Sequence, residues 1–532
     1  MATVLITTSG IGSRLGDFTK HTNKALVRVG DKPAISHIVE SYCKDTDFVI
    51  TLGHFGAHIK EFLEIAYPNR KFEWVYVNKF EGEGSSLLYS MLQAESLLQK
   101  PFIFHTSDTI VENDYFTRLE EGSFKIMNHN FILGAKTKDH SQYASFDAFN
   151  NNVIKMHKKG ESNTDYTHIG VVGIKDYEIF WRNAQNTHTL NTKNTQLSDV
   201  DVLTRMINNG VVFKSLEATG WHDVGNIDKL NETRKHLSSS TMHVLDKLGE
   251  SIFNVEGYVV KFFADRNICK NRVERVKYLN GTVPEITASS TYFYKYPYVQ
   301  GELFANVVNR QDFKDFLKFA KFNLWINPVD MDRHKQGEIL REFYYDKTLS
   351  RLNAFLLKRN IKDKEEIING ERVPSAINLI AMIDFNIFND SDLTSFHGDF
   401  ILDNVIKTHD GFKLIDWRQD FAGYIQFGDK YYDLAKLAHN LVVNHGIIDN
   451  NNFSVSTKND EIYLNIHRLQ TLVECEEILF NVFDPKEQKK IKILRSIIWL
   501  NMSALHHHPF DLFLYYFGRY TLNQILQDGA TI

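Results

Sequence analysis

Through about residue 235, short apolar runs alternate with helical stretches, and this alternation constrains the chain more than any other feature. Phe48-Val-Ile-Thr-Leu, Phe72-Glu-Trp-Val-Tyr-Val and Phe102-Ile-Phe-His read as strands, and Ala2-Thr-Val-Leu-Ile-Thr-Thr-Ser-Gly reads as a buried first strand. Strands separated by helices belong to an α/β fold with a mainly parallel sheet. The pattern breaks into small polar residues at Leu237-Ser-Ser-Ser-Thr-Met, then strands resume at Ile252-Phe-Asn-Val and Tyr258-Val-Val-Lys-Phe-Phe. From about residue 310 long amphipathic helical patterns dominate, interrupted by a strand-rich island at Asn404-Val-Ile and Lys413-Leu-Ile-Asp-Trp. The expectation is therefore two domains, 1–236 and 245–532, the second with a β-rich small lobe to about residue 305 and a helical lobe from 306.

A chain of 532 residues is too long for a single hydrophobic core, which agrees with this division. Its formal charge of −5 is spread along the sequence, with no basic footprint that would predict a nucleic-acid partner. The three cysteines, Cys43, Cys269 and Cys475, lack the spacing of a disulfide framework or a metal site and point to a reducing compartment. The first residues lack the basic start and apolar core of a signal peptide, and no later run has the length of a membrane span. A cytoplasmic protein without membrane insertion is expected.

The first strand runs into Ser9-Gly10-Ile-Gly12-Ser13-Arg14-Leu-Gly16, where Gly10, Gly12 and Ser13 let backbone N–H groups approach a triphosphate and Arg14 adds charge-assisted contacts. Lys24, in Thr22-Asn-Lys-Ala-Leu, is suited to neutralising charge that develops on a transferring phosphoryl group. Gly82-Glu-Gly84-Ser-Ser-Leu offers close backbone approach to a base at Gly84. Asp108 ends the strand Phe102-Ile-Phe-His-Thr-Ser, the usual place for ligand groups in an open sheet. A second carboxylate, Asp223, lies in Gly220-Trp-His-Asp-Val-Gly225, and two carboxylates are a common oxygen-ligand set for Mg²⁺ at a nucleotide site.

In this order the elements resemble the sugar-phosphate and phosphocholine nucleotidyltransferase family over roughly the first 235 residues. The resemblance implies a Rossmann-like domain in which a phosphate monoester attacks the α-phosphorus of an NTP and releases pyrophosphate. Arg14 and Lys24 would serve as catalytic groups on the phosphates, with Asp108 and Asp223 on Mg²⁺. It also implies a lysine on the acceptor phosphate, and both Lys158 and Lys159 are candidates. Two departures, Ile6-Thr-Thr-Ser-Gly10 for the family's Leu-Ala-Ala-Gly and Lys24-Ala25 for its Lys-Pro, bear on the nucleobase more than on the reaction.

The strongest local signal is His397-Gly-Asp399-Phe-Ile-Leu-Asp-Asn404, followed by Leu414-Ile-Asp416-Trp, which has the acid-to-amide spacing of a kinase catalytic loop. Asp399 is placed to accept the proton of an acceptor hydroxyl, while Asn404 and Asp416 are candidate Mg²⁺ ligands on ATP. Lys261 on an upstream strand supplies the required nucleotide-binding lysine, and Glu274 on the following helix is its candidate ion-pair partner. Residues from about 245 onward resemble the aminoglycoside phosphotransferase and choline kinase superfamily, which implies a two-lobed, protein-kinase-like α+β fold. Phe293-Tyr-Lys-Tyr-Pro-Tyr-Val-Gln-Gly301 looks like the inter-lobe connection, and Gly428-Asp-Lys-Tyr-Tyr-Asp433-Leu-Ala-Lys like the segment after the metal aspartate. The phosphate-covering hairpin is expected near Leu248-Gly-Glu-Ser-Ile.

Three further features read as structural. His506-His-His508 points its rings in different directions, Tyr292 to Tyr298 is an aromatic run expected to pack, and Asp420 is a candidate surface ion pair or acceptor contact. A kinase makes the phosphomonoester that a nucleotidyltransferase consumes, so the two halves read as consecutive steps. ATP would phosphorylate a small hydroxylated metabolite, and a second NTP, CTP or UTP, would then activate it for capsule or lipopolysaccharide synthesis. A free sugar is the leading acceptor, with choline, ethanolamine or a polyol as alternatives. In a further alternative, only one half is catalytic and the other is a ligand-binding module.

Overall fold

The computed structural model describes residues 3–112, 115–121, 125–137, 141–161, 164–218, 220–237 and 249–528. The chain divides into two compact units, Met1–Cys269 with Thr287–Tyr298, and Lys270–Ile286 with Val299–Ile532. The stretch 238–248, which holds most of the sequence-based boundary and Leu248 of the expected phosphate-covering hairpin, lies outside the described residues.

The first unit is built on a nine-stranded sheet. Its strands are β1 (Thr3–Thr7), β2 (Asp47–Leu52), β3 (Lys71–Tyr76), β4 (Phe102–Thr106), β5 (Phe131–Ala135), β6 (Ser145–Phe149), β7 (Asn152–His157), β8 (Tyr166–Ile174) and β9 (Lys214–Glu217). They lie in the order β3-β2-β1-β4-β8-β5-β9-β7-β6. The half from β3 to β4 is parallel, with Val4 opposite both Phe48 and Ile103, whereas β8 runs antiparallel to its neighbours β4 and β5. This is a Rossmann-like arrangement, and its C-terminal extension explains why the sheet is less parallel than the alternation alone predicts.

Helices Ala34–Glu40, Gly56–Ala66 and Leu87–Leu92 connect the parallel strands. Because β1 is covered on both faces, its side chains divide between two cores: Val4 and Ile6 join Phe48, Ile50 and Phe62 on one side, while Leu5 joins Val49, Phe104 and Trp181 on the other. The order of the strands reverses at β1, so the turns after β1 and β4 open side by side at the carboxyl edge, where ligands of such sheets bind.

A four-stranded antiparallel sheet, made by Glu250–Val255, Tyr258–Phe263, Ala288–Ser289 and Phe293–Pro297, also belongs to the first unit. It packs on helix Gly56–Ala66, where the Phe62 ring lies 5.5 Å from Phe253 and 5.8 Å from Phe293, and Lys295 donates 2.7 Å to the Ile65 carbonyl. Phe293, Tyr294 and Tyr296 of the aromatic run are buried.

The second unit is a distinct α+β domain. Long helix Pro485–Ser503 packs against helices Lys347–Arg359, Lys430–Asn440 and Phe510–Asp528, while a hairpin of Val405–Thr408 and Gly411–Leu414 packs against helices Phe304–Val307 and Arg310–Phe319, and Glu302–Leu303 pairs with its first strand. A separate four-stranded sheet joins Glu366–Ile368, Glu371–Val373, Phe453–Lys458 and Glu461–Ile466. Asp484 caps the helix that begins at Pro485 through a reciprocal capping box with Glu487. No helix among the described residues is long and apolar enough to cross a membrane.

Candidate active site

In the first unit the turn after β1 is shaped by glycine. Gly12 has a φ of 71°, and a Cβ there would lie 2.7 Å from Cβ of Lys24, so only glycine lets the loop press against the stem of that lysine. Gly10 has open space around it, Ser13 and Arg14 are exposed, and Gly84, with a φ of 81°, closes on the Thr192 carbonyl. Lys24 is held by its neighbour Asn23, which is wholly buried, donates to the carbonyls of Thr8 (2.8 Å) and His54 (2.6 Å) and accepts from the Ala25 amide (2.9 Å). A single amide side chain thus ties the lysine turn to the ends of β1 and β2. No local pattern in the sequence marks Asn23 for this role.

Lys24 Nζ lies 2.9 Å from Asp108 Oδ2, with about a fifth of each side chain exposed. Burial pushes the Asp108 carboxyl up, but the charge and hydrogen bond of Lys24, reinforced by Arg14 and Thr106, hold it below its ordinary value. The second carboxylate arrives through a short antiparallel pairing in which Asp223 is opposite Thr109 and the Val224 amide donates 2.9 Å to the Asp108 carbonyl. A Cβ on Gly225 would meet Asp223 Oδ1 at 3.0 Å, Asp108 Oδ2 at 3.4 Å and Arg14 Nη2 at 3.5 Å. The glycine therefore marks the point where both carboxylates and the arginine converge.

Asp223 is pushed up by burial and then by the negative charge of Asp108, against the stabilising donors Tyr143 Oη (2.7 Å) and the Gly225 amide (2.7 Å). Beneath the site, burial lowers His105 to about 4, so the imidazole is neutral: its Nε2 donates to the Thr109 carbonyl at 3.0 Å and its Nδ1 accepts from Tyr42 Oη at 2.8 Å. Lys158 and Lys159 are exposed in the turn after β7, whose Gly160 amide donates to the Tyr143 carbonyl at 3.4 Å. That contact brings the lysine turn to the segment that carries Tyr143.

Mg²⁺ is commonly held by one or two carboxylates, with waters and substrate phosphates completing its shell. Asp108 and Asp223 fit that pattern: their mutual repulsion, seen in the raised Asp223, is what a divalent cation relieves. Among the described residues no group of three or more His, Cys, Asp or Glu is placed to hold a metal ion, His506 to His508 included.

The second unit gathers another polar centre. Asp399 Oδ1 lies 2.7 Å from Lys436 Nζ, and Asn404 Nδ2 donates to Asp399 Oδ2 at 3.1 Å and to its carbonyl at 2.9 Å. Beneath the loop, buried Asp433 accepts from the amides of His397 (2.7 Å) and Gly398 (2.6 Å) and from Trp325 Nε1 (3.1 Å). Burial raises Asp433 to about 6, and these donors work against that rise. Asp416 takes a left-handed φ of 61° and pairs with Arg272 Nη1 at 2.5 Å.

Arg272 sits two positions from Glu274, a spacing that puts the two side chains on different faces of a helix. Glu274 is 3.9 Å from Lys270 on the same helix. Lys261 is buried in the four-stranded sheet of the first unit. The sequence signals single out Asp399, Asn404 and Asp416, and the segment Gly428 to Lys436 contains Lys436 without giving it a role; Arg272 and Tyr143 carry no comparable local pattern.

Residues 3–240 match the nucleotidyl transferase family. The N-terminal half is a Rossmann-fold, nucleotidyltransferase-like domain joined to a distinct α+β domain. The "Bifunctional protein GlmU" of Methanococcus vannielii is 22% identical over 229 residues, 42% of this chain and 51% of the relative. That of Methanococcus maripaludis is 21% identical over 263 residues, 48% of this chain and 59% of the relative. The chain thus spans little more than half the length of these curated relatives. Among solved structures, a CTP:phosphocholine cytidylyltransferase from Streptococcus pneumoniae is 16% identical, covering 45% of this chain and all of its own, with a TM-score of 0.37.

Proposed function

We propose that the first unit joins a phosphate monoester to a nucleoside triphosphate with release of pyrophosphate, and that the second phosphorylates a small hydroxylated metabolite with ATP to supply that monoester. The carrying observation is the convergence of Arg14, Asp108 and Asp223 on Gly225, with Lys24 paired to Asp108. The family match over residues 3–240 supports the nucleotidyltransferase half.

In the first reaction an oxygen of the acceptor phosphate forms a bond to the α-phosphorus while the bond to the pyrophosphate oxygen breaks. Lys24 and Arg14 place positive charge where the triphosphate crowds negative charge, and Gly10, Gly12 and Ser13 bring backbone amides to its oxygens. Lys158 or Lys159 holds the acceptor phosphate. Asp108 and Asp223 are the residues that would hold Mg²⁺, which would supply further charge neutralisation on the phosphates.

In the second reaction Asp399 receives the proton of the acceptor hydroxyl as that oxygen bonds to the γ-phosphorus and ADP leaves. Asn404 and Asp416 are the residues suited to Mg²⁺ at this centre, and Arg272 holds the Asp416 carboxylate in place. The product is an NDP-activated compound for a surface polysaccharide, made in the cytoplasm.

The test is pyrophosphate release by the full chain with Mg²⁺, one of CTP, UTP, GTP or dTTP, and a panel of sugar phosphates and phospho-amino alcohols. Release that Asp108→Asn abolishes supports the reading. Release that persists in Asp108→Asn refutes it.

A further inference from the structure

Beside Asp399 the second unit gathers four basic side chains, of which Lys436 is paired with Asp399 and the other three with no carboxylate among the described residues. Lys347 and Arg351 lie one helical turn apart at the start of helix Lys347–Arg359. Arg418 comes from the loop just after Asp416, and Lys436 from helix Lys430–Asn440. Lys347 and Arg418 share a ring contact, and Arg351 and Lys436 lie close enough to act electrostatically on Lys347. Lys347 Nζ is 3.9 Å and the Arg418 guanidinium 5.2 Å from the centre of the Phe343 ring, while Arg418 Nη1 reaches Tyr432 Oη at 3.4 Å. Lys436 touches Asp399 itself, at 2.7 Å.

Among the described residues, Lys347, Arg351 and Arg418 form no ion pair with a carboxylate, and Arg418 Nε is buried without a hydrogen-bond partner. Asp420 is the acid that acts on Lys347, and it is outnumbered by the cations. Burial drives Lys347 down to about 6, and Arg418, Arg351 and Lys436 push it further in the same direction. Basic groups gathered in this way and half-buried are stabilised by a counter-ion that pairs with them.

We propose that the acceptor phosphorylated by the second unit carries an anionic group, a carboxylate or a phosphate, which docks against Lys347, Arg351 and Arg418 and so presents its hydroxyl to Asp399. This rests on the phosphotransferase reading of Asp399. It narrows the substrate class, because neutral sugars leave the cluster uncompensated and quaternary or primary amines are repelled by it. Phosphotransfer keeps its balance: the acceptor oxygen bonds to the γ-phosphorus, the β–γ bridge breaks, the hydroxyl proton goes to Asp399, and the anionic group is spectator and anchor.

Two measurements on the full chain separate the proposal from the reading beneath it. The first is calorimetric binding of inorganic sulfate, an anion whose charge does not change near neutral pH. Arg351→Gln should weaken it tenfold or more, with Lys347→Met as the confirming variant and melting curves to show that both fold. Sulfate affinity equal to wild type in both variants overturns the proposal, whatever the unit catalyses.

The second is ADP release from ATP with glucose, glucuronate, glucose 6-phosphate and choline at equal concentration. Glucuronate or glucose 6-phosphate should exceed glucose and choline at least tenfold, the faster of the two identifying the anion. Arg351→Gln should then raise the acceptor's KM tenfold while leaving the KM for ATP unchanged. Faster release with glucose or choline overturns the acceptor class. Silence with all four, alongside Arg351-dependent sulfate binding, overturns the phosphotransferase reading and the acceptor assignment together, leaving an anion site without that reaction.

Discussion

The Tyr143 hydroxyl donates a 2.7 Å hydrogen bond to Asp223 Oδ2, joining two residues 80 positions apart. Asp223 is already raised by burial and by Asp108, so this donor favours the ionised form that a cation needs. Tyr143→Phe removes it and raises Asp223 further. A raised carboxylate loses its charge earlier as pH falls, so the acid limb of pyrophosphate release should move to higher pH. A pH–rate profile carried down through the acid limb of the wild type checks this; an unmoved limb contradicts it.

Asn23 makes three hydrogen bonds from a fully buried position, two of them to carbonyls at the ends of separate strands. Asn23→Ala strands those carbonyls and should destabilise the first unit by about 2–4 kcal/mol, lowering the midpoint of its denaturant transition. Transferase activity at low temperature should fall as well, since Lys24 is next in the chain. A midpoint within error of wild type contradicts the assigned role.

Arg272 is the ion-pair partner of Asp416, with 8% of the arginine side chain and 23% of the aspartate side chain exposed. Arg272→Met leaves that carboxylate, already in a left-handed backbone conformation, without its charged neighbour. ADP release should fall by roughly 10- to 100-fold, the scale on which removing a ligand-orienting group acts, and pyrophosphate release from a supplied monoester should be retained. Steady-state assays of both products distinguish this from global unfolding, which removes both.

Lys347, lowered to about 6 by burial and by Arg418, Arg351 and Lys436, loses its charge as pH rises through that value. Sulfate binding should therefore weaken between pH 6 and 8 and take up protons from the buffer. Titrations in buffers of different ionisation enthalpy read the uptake directly. Affinity that is flat over this range, with no proton taken up, contradicts the placement of Lys347 against the anion.

What the sequence reveals follows how local each signal is. The strands Phe48–Leu52 and Phe102–His105 are legible because strands inside a parallel sheet are apolar on both faces, and the edge strand Phe72–Val77 from its run of aromatic and β-branched residues; the structure places strands at Asp47–Leu52, Lys71–Tyr76 and Phe102–Thr106. The mixed half of the sheet, from β8 to β6, in which β5 and β9 pair in parallel and the rest antiparallel, is not, since alternation with helices says nothing about strand direction once the helices become sparse.

At the site, Asp108 is recognisable from its position at a strand end, and Asp399, Asn404 and Asp416 from their spacing. Tyr143 and Arg272 are not recognisable, and Lys436 is seen only as the end of the segment that begins at Gly428, because their partners lie 80, 144 and 37 positions away and only the folded chain brings them together. Glu274 has the expected residue type on the expected helix, yet Arg272, on another face of it, is the one that meets Asp416.

The central claim is that two separate centres act in one chain, and the reciprocal pair Lys24→Met and Asp399→Asn tests it most directly. Each variant is assayed for ADP release with an acceptor and for pyrophosphate release with a supplied phosphomonoester. The account predicts that Lys24→Met lowers pyrophosphate release on the order of 10²- to 10³-fold and spares ADP release, and that Asp399→Asn does the reverse. Loss of both products in either variant, in protein that melts like wild type, would contradict it.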